Sequence, residues 1–276
     1  MVSKDRTLII GVLNITPDSF SDGGLHCDPA AALKQAHQMA EGGVHIFDIG
    51  GESTRPATFA DQSPLPAAEE LARILPVITR LTSELPQIPI SVDTYKAEVA
   101  RAALGAGASI INDISGLAFD PQMAPLAAER GVPVILMHLL GSPRDIPQQP
   151  VYTDVVADIK AFFDRQIAYA LSCGMRREQI WLDPGLGFGK TAQHNLEILR
   201  RLSEFQSYDL PLVVGASRKR FLGSILGTDD PNDRKEGTAA TVALSIAAGA
   251  AAVRVHDVRE MARVAKVSDA IVRGWS

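Results

Sequence analysis

Four polar residues that end or follow short apolar runs could together bind a flat heterocycle. Asp93 ends ISVD, Asn112 lies within SIINDI, Asp183 ends IWLD, and Lys219 follows LVVGASR. A carboxylate accepts two N–H groups of an aminopyrimidine, an amide both donates and accepts, and an ammonium donates to ring oxygen or nitrogen. We interpret the set as a ring-binding pocket. Turn or helix-cap aspartates and a solvated basic turn are the alternatives.

A second group of residues suits an anionic ligand. Arg254 stands in the apolar run AAVRV, where a charge is costly unless it is paired or faces a ligand. His256 follows on the same face of a strand, so the two side chains could bind one phosphate, although His256 could equally be a core histidine. Asn14 could give one oxygen to Mg2+, an ion that keeps most of its waters and leans on substrate phosphates. An Asx turn is the alternative for Asn14.

The sequence lacks the residue spacings that a P-loop, a transition-metal site or a catalytic cysteine would require. The stretch DPGLGFGKT resembles a P-loop but has one residue too few between Gly185 and the Gly189-Lys190-Thr191 end. The sequence has no His-x-x-x-His or Cys-x-x-Cys pair and therefore supports no transition-metal site. Neither Cys27 nor Cys173 has a candidate catalytic partner.

Strands and helices alternate along the chain, which predicts the scaffold that must position these residues. Such alternation is typical of βαβ units and a parallel sheet. We predict a single-domain (β/α)8 TIM barrel over residues 1–276, with the active site at the carboxyl ends of the strands. An open doubly wound sheet is the alternative. The predicted strands are 7–13, 45–49, 88–92, 109–114, 133–137, 180–182, 212–215 and 252–255, and the predicted helices are 29–42, 66–85, 95–106, 121–130, 153–173, 191–206, 234–249 and 257–273.

Composition narrows the class of protein. Of 276 residues, 46% are hydrophobic and 21% are charged, which is ample for a large core. A net charge of −5 argues against nucleic acid or an anionic membrane as a partner. We expect no membrane span, because no apolar run approaches about 20 residues. Two cysteines make no disulfide framework, which predicts a cytoplasmic protein.

Taken together, the motifs resemble the dihydropteroate synthases of folate biosynthesis. The matching segments follow the family order from residue 11 to residue 258, and three of them are long and specific: GVLNITPDSFSDGG, DIGGESTRP and DPGLGFGK. The shorter matches are SVDT, INDISG, Met137-His138, SRKRFLG and RVHDV.

The resemblance implies a reaction, a cofactor and small-molecule partners. Members of the family condense 7,8-dihydropterin-6-ylmethyl diphosphate with 4-aminobenzoate, releasing dihydropteroate and pyrophosphate, with Mg2+ as cofactor. They are (β/α)8 barrels that usually dimerise through helices of their later half. We therefore expect a homodimer, and we expect sulfonamides, which mimic aminobenzoate, to compete with it.

The resemblance also assigns roles to residues. It places the pterin among Asp93, Asn112, Asp183 and Lys219, with Met137 and Phe188 as apolar neighbours and Arg254 stacked on the pterin face. It places the diphosphate on Asn14, Arg254 and His256, with Asn14 on the metal. It frames the aminobenzoate with Phe20, Asp22, Thr54, Arg55, Pro56 and Ser217. The implied catalytic residues are Asp93, Lys219, Arg254, His256 and Asp22.

The implied chemistry needs no strong general base, because an arylamine is already a neutral nucleophile. The difficult event is C–O cleavage at the exocyclic methylene. We predict an SN1-like substitution in which Mg2+, Arg254 and His256 stabilise the departing pyrophosphate and Asp93 stabilises the positive charge on the pterin. Two departures from the family affect loops: Ala57 replaces a usual Gly, and Leu139-Leu140 replaces a frequent Met-Gln.

Three other functions remain open from sequence. A pterin-dependent methyltransferase with a corrinoid partner would use the same barrel but would release no pyrophosphate. A catalytically silent pterin-binding homologue should have lost at least one of Asn14, Asp93, Lys219, Arg254 and His256, and all five are present. A Schiff-base aldolase using Lys219 would be trapped by borohydride with a carbonyl substrate.

Overall fold

The computed structural model describes residues 5–16, 29–53, 64–141 and 150–275. Several residues singled out in the sequence lie outside these ranges, and their predicted roles remain predictions: Phe20, Asp22, Cys27, Thr54, Arg55, Pro56 and Ala57.

Eight strands, all parallel, form one sheet that is nearly closed into a barrel. Neighbouring strands pair in the order β6-β5-β4-β3-β2-β1-β8-β7, and a parallel bridge between Leu182 and Leu212 joins β6 to β7. The predicted (β/α)8 class is therefore confirmed. The strands are β1 Leu8–Asn14, β2 Ile46–Gly50, β3 Ile90–Asp93, β4 Ile110–Asp113, β5 Val134–Met137, β6 Ile180–Asp183, β7 Val213–Val214 and β8 Ala252–Val255.

Helices follow the strands and cover the outside of the barrel. In the described residues they are α1 Pro29–Glu41, α2 Ala67–Glu84, α3 Ala97–Gly105, α4 Met123–Arg130, α5 Val155–Ser172, α6 Ala192–Arg200, α7 Arg220–Leu226, α8 Lys235–Ala247 and α9 Val258–Arg273. No helix in these ranges combines the length and apolarity of a bilayer-spanning segment.

The structure departs from the sequence-based elements in the last third of the chain. Helix α7 is absent from the sequence-based prediction, in which only its first residues, RFLG, are assigned, as part of the motif SRKRFLG. The predicted helix 191–206 is interrupted at Arg201, whose φ and ψ of −107° and 18° are not helical, and it continues as a 3-10 helix over Leu202–Tyr208. Leu202 and Phe205 of that segment are buried, so packing rather than helix propensity fixes its path.

The barrel interior has an apolar lower layer made of alternate strand residues. Because side chains of a strand alternate between its faces, the residue two positions further along points to the same side. The neighbours between these positions, such as Ile9, Phe47 and Leu182, pack outward in the core that contacts the helices. The inward layer consists of Leu8, Ile10, Ile46, Ile110, Ile135, Trp181, Val213 and Ala252.

Candidate active site

Directly above the apolar layer, the inward positions become polar. Moving two residues on from Ile110, Trp181 and Ala252 gives Asn112, Asp183 and Arg254. These side chains line a pocket at the carboxyl ends of the strands with about 320 Å³ of empty space, including its open mouth. The pocket is lined by Asp93, Asn112, Ile114, Met137, Asp183, Gly185, Leu186, Phe188, Gly215, Lys219 and Arg254.

Arg254 is the centre of an ion-pair network in the pocket floor. Its Nε donates to Asp48 Oδ2 at 2.6 Å, and its Nη2 donates to Asp93 Oδ2 at 2.7 Å. The amide Nδ2 of Asn112 also donates to Asp48 Oδ2, at 3.1 Å. Two carboxylates on different strands therefore fix the plane of the guanidinium, and they compensate a charge that burial would otherwise make costly.

Asp93 has one oxygen that can still accept a hydrogen bond, and its burial disfavours the charged form of the carboxyl. Burial raises the pKa of Asp93 to about 7, and the attraction of Arg254 opposes this increase while the nearby Asp48 carboxylate adds to it. One oxygen of each carboxylate, Asp93 Oδ1 and Asp48 Oδ1, is buried without a hydrogen-bond partner among the described residues. A buried acceptor of this kind is costly unless a ligand donates to it, so Asp93 Oδ1 is suited to receive an N–H group.

Asp183, Lys219 and Phe188 form another part of the pocket lining. Asp183 Oδ1 accepts the backbone N–H of Gly185 at 2.8 Å, and burial raises the pKa of this carboxyl. The ammonium of Lys219 lies 4.0 Å from the centroid of the Phe188 ring. Phe188 also packs with Ile114, Met137 and Leu139, so the wall offers an apolar surface beside a cation.

Ser217 and His256 contact one another beside the pocket lining. The hydroxyl of Ser217 lies 3.0 Å from His256 Nδ1 and accepts the backbone N–H of His256 at 3.1 Å. Between Ser217 and Lys219, Arg218 adopts a left-handed φ of 58° and binds both oxygens of Asp257, at 3.0 and 2.7 Å. This bidentate pair ties the segment after β7 to the residue that follows His256.

Not every polar strand end serves the pocket. Asp113 is buried and caps its own turn, accepting from the N–H and hydroxyl of Ser115 and from the N–H of Leu117. His138 is also outside the pocket lining, and its Nδ1 lies 2.9 Å from the ammonium of Lys190. Asp113 and His138 therefore have a structural role in their loops, which is the common alternative for a polar residue at a strand end.

Asn14 is the residue that the sequence offers as a magnesium ligand. It is half-buried at the last position of β1, in register with Gly50 at the end of β2. The described residues contain no group of three or more His, Cys, Asp and Glu side chains that could hold a metal ion. A single amide oxygen at the strand end fits an ion that is held chiefly by water and by a bound diphosphate.

Sequence reasoning missed three groups that support the site. Asp48 lies two residues after Ile46 on β2 and therefore faces the barrel interior as Ile46 does. This alternation is the feature of the sequence that could have identified it. Lys190 belongs to the matching segment DPGLGFGK and to the failed P-loop match, but neither gives it a role. The ammonium of Lys96 binds Glu52 at 2.6 Å and Glu70 at 2.5 Å, and Glu52 Oε1 accepts the N–H of Leu65 at 3.1 Å, which joins the described residues on both sides of positions 54–63.

Comparisons with known proteins agree with this geometry. Residues 10–256 match the model of a family described as pterin binding enzyme. The dihydropteroate synthase of Synechocystis is 48% identical over 97% of this chain and 91% of its own length.

Two solved structures share the fold over nearly their whole length. A Yersinia pestis dihydropteroate synthase in complex with a sulfonamide drug is 39% identical with a TM-score of 0.91, covering 98% of this chain and 96% of that one. A Xanthomonas albilineans dihydropteroate synthase in complex with 7,8-dihydropteroate is 38% identical with a TM-score of 0.87, covering 98% and 95%. With eight parallel strands, a polar pocket at their carboxyl ends and these similarities over the full length, the chain belongs to the dihydropteroate synthase family of pterin-binding enzymes.

Proposed function

We propose that the protein is a transferase that condenses 7,8-dihydropterin-6-ylmethyl diphosphate with 4-aminobenzoate to give 7,8-dihydropteroate and pyrophosphate. The observation that carries this proposal is the convergence of Asp93, Asn112, Asp183, Lys219 and Arg254 on one pocket. The relatives named above support it, because a Xanthomonas albilineans structure holds 7,8-dihydropteroate.

The pocket supplies what a pterin ring needs. Carboxylates of Asp93 and Asp183 would accept the N–H groups of the aminopyrimidine edge, and Asn112 would both donate and accept. Lys219 would donate to ring oxygen or nitrogen while Met137 and Phe188 cover apolar surface. The guanidinium of Arg254 is held flat by Asp48 and Asp93, which suits stacking on the pterin face.

The proposed reaction breaks one C–O bond and forms one C–N bond. The electron pair of the C–O bond leaves with pyrophosphate, and Arg254 and His256 would stabilise its charge. The exocyclic methylene becomes a cation delocalised over the dihydropterin, and the buried carboxylate of Asp93 would stabilise it. The amine of 4-aminobenzoate then adds to the methylene and loses a proton to solvent.

Magnesium and aminobenzoate sites complete the proposal. Asn14 would give one oxygen to Mg2+, and the bound ion would neutralise part of the diphosphate charge. The aminobenzoate would lie against Ser217, with Phe20, Asp22, Thr54, Arg55 and Pro56 from the first two loops. A sulfonamide drug bound to the Yersinia pestis relative supports an aminobenzoate site that such drugs can occupy.

Product analysis tests this function directly. The purified protein is incubated with the pterin diphosphate, 4-aminobenzoate and Mg2+, and dihydropteroate and pyrophosphate are quantified. We expect equal amounts of the two products, and we expect EDTA to abolish both. A protein that binds the pterin without releasing pyrophosphate would instead be a pterin-dependent methyltransferase or a silent homologue.

We also propose a cytoplasmic homodimer. Helices α8 and α9 expose apolar side chains, of which Leu244, Val267 and Ile271 are 65%, 61% and 79% exposed. These two helices pack against each other, and contiguous exposed apolar surface on neighbouring elements is typical of interaction sites. Light scattering coupled to size exclusion should give twice the monomer mass, and a monomeric mass would contradict the proposal.

A further inference from the structure

We propose that Lys190 is a positioning residue whose ammonium acts as a built-in cation, pinning the segment after β6 to the end of β5 and thereby setting the pterin-binding wall. The inference rests on the proposed function, because the ligand that it affects is the pterin. Lys190 is not among the residues that line the pocket, and the proposed mechanism gives it no role.

The ammonium of Lys190 sits in a cage of acceptors from two strand ends. Three are backbone carbonyl oxygens: Gly185 at 2.9 Å, Phe188 at 3.0 Å and His138 at 3.2 Å. The fourth is the ring Nδ1 of His138 at 2.9 Å. Gly185 and Phe188 belong to the segment after β6, whereas His138 follows β5, so one side chain connects two neighbouring loops.

The four acceptors around Lys190 favour its charged form, whereas burial of the side chain favours the neutral form. Only an ammonium has three N–H groups, which is the number that the three carbonyl oxygens require. His138 supplies a fourth acceptor because burial, together with the Lys190 charge, lowers its pKa to about 2 and keeps the ring neutral. Burial lowers the pKa of Lys190 itself to about 7, an effect that the Asp183 carboxylate opposes.

The segment that Lys190 pins carries the pterin-facing groups. Gly185 donates its N–H to Asp183 Oδ1, and Phe188 presents its ring to the Lys219 ammonium and to Met137. A further clasp acts on the same segment, since the Tyr152 hydroxyl donates to the Gly189 carbonyl at 2.8 Å. Losing the Lys190 ammonium would remove one donor from each of three carbonyls, of which Gly185 keeps the backbone N–H of Phe188, and would loosen the segment that holds Phe188 in place.

Steady-state kinetics of a Lys190→Met variant test this role. The substitution keeps most of the aliphatic stem and deletes the charge. We expect the KM for the pterin diphosphate to rise about tenfold or more while the KM for 4-aminobenzoate changes less than about twofold. In a Lys190→Ala variant, n-propylammonium replaces the missing atoms, and we expect it to lower the pterin KM again.

A surface lysine provides the matched control. Lys160 also donates to a backbone carbonyl, that of Glu204 at 3.3 Å, but it lies on the outer helix α5. Lys160→Ala should leave both KM values unchanged and should not respond to n-propylammonium. Equal rises of the two KM values in Lys190→Met, or no response of Lys190→Ala to n-propylammonium, would overturn the proposal.

Two measurements keep the proposal separate from folding and from the overall function. If the Lys190 variants do not fold, Tyr152→Phe removes only the second clasp and should raise the pterin KM alone; an unchanged pterin KM then overturns the proposal. Binding of pteroic acid, followed by the fluorescence of the buried Trp181 in a Trp275→Phe background, needs no turnover. Failure of the proposed function appears as no turnover in the parent protein, whereas failure of this inference appears as equal pteroic acid binding by parent and variant.

Discussion

At the scale of single residues, the site depends on charges that burial forces into pairs. Arg254 could not remain in an apolar strand without Asp48 and Asp93, and it is bound by both. Pairing with Arg254 requires Asp93 to be ionised, although burial disfavours the ionised form of this carboxyl. The pairing leaves one Asp93 oxygen without a partner among the described residues, and Asp93 lines the pocket where we expect the substrate.

An Asp93→Asn substitution tests the electrostatic role. We expect kcat to fall about 100-fold with both substrates saturating, because the amide is nearly isosteric but cannot stabilise a developing cation. Asp113→Asn is the matched control, since Asp113 is equally buried at the end of the next strand but bonds only to its own turn. It should lower stability and leave kcat within about twofold. Parental turnover in Asp93→Asn would show that the cation-stabilising role is wrong.

The raised pKa of Asp93 predicts a pH profile. Its carboxylate is the proposed active form, and its pKa in the folded protein is about 7, so protonation removes activity as the pH falls. We expect kcat/KM for the pterin substrate to decrease about tenfold for each pH unit below that value. In Asp93→Asn the acid limb should be absent, and an acid limb that persists unchanged in this variant would assign it to another group.

At the scale of elements, the connection between β6 and α6 is shaped by close backbone approach. Gly185 has a φ of 67°, and a Cβ placed there would lie 2.0 Å from the carbonyl oxygen of His138. Gly131, which ends α4, has nearly the same φ of 66° but has no atom within 4 Å of such a Cβ. An alanine at Gly131 would therefore cause backbone strain alone, whereas an alanine at Gly185 would cause the same strain and a steric clash.

Alanine substitutions at these two glycines should differ in cost. We expect Gly131→Ala to lower the free energy of unfolding by about 1 kcal/mol, from the left-handed φ alone. Gly185→Ala should cost about 3 kcal/mol or more, because the backbone of the loop must also move, and it should weaken pterin binding. Urea unfolding measures both variants, and equal losses would show that the contact with His138 is relieved at little cost.

At the scale of the whole molecule, the start of β1 is joined to helix α9 at the amino-terminal side of the barrel. Asp269 in α9 accepts from the N–H and the hydroxyl of Thr7, at 2.7 and 2.8 Å, just before β1 begins. Arg273 donates to the same carboxylate at 2.8 Å and to the carbonyl of Ala250 at 3.0 Å. The last helix thus ties β1 to β8, far along the chain but adjacent in the sheet.

Removing this tie should affect stability without changing catalysis. We expect Asp269→Ala to reduce the free energy of unfolding by about 1–3 kcal/mol, since it leaves the buried N–H and hydroxyl of Thr7 without their acceptor. Glu129→Ala is the control, because Glu129 pairs with Arg101 and Arg130 at an exposed surface and should cost at most about 0.5 kcal/mol. Both variants should keep the parental KM values, and a changed KM in Asp269→Ala would show that the two ends of the barrel are coupled.

The sequence by itself determined the fold class, the order of the strands along the chain and much of the pocket. Apolar runs separated by amphipathic stretches are local features, and parallel βα units have few ways to close. Polar residues at the strand ends then had to meet at one mouth. Asp93, Asn112, Asp183, Lys219 and Arg254 line one pocket in the structure, and their roles there stay predictions. Met137 and Phe188 line the same pocket, and the resemblance to the family, not the strand pattern, pointed to them.

Only the tertiary structure decided which charges meet. Arg254 and Asp48 are 206 positions apart, and no local pattern marks Asp48 as its partner or Asp113 as a turn cap. The same holds for Lys190, whose acceptors come from two loops and are mostly backbone carbonyls that every residue possesses. Sequence periodicity fixes the face on which a side chain lies, but ion pairs and cages depend on distances between strands that closure of the barrel alone establishes.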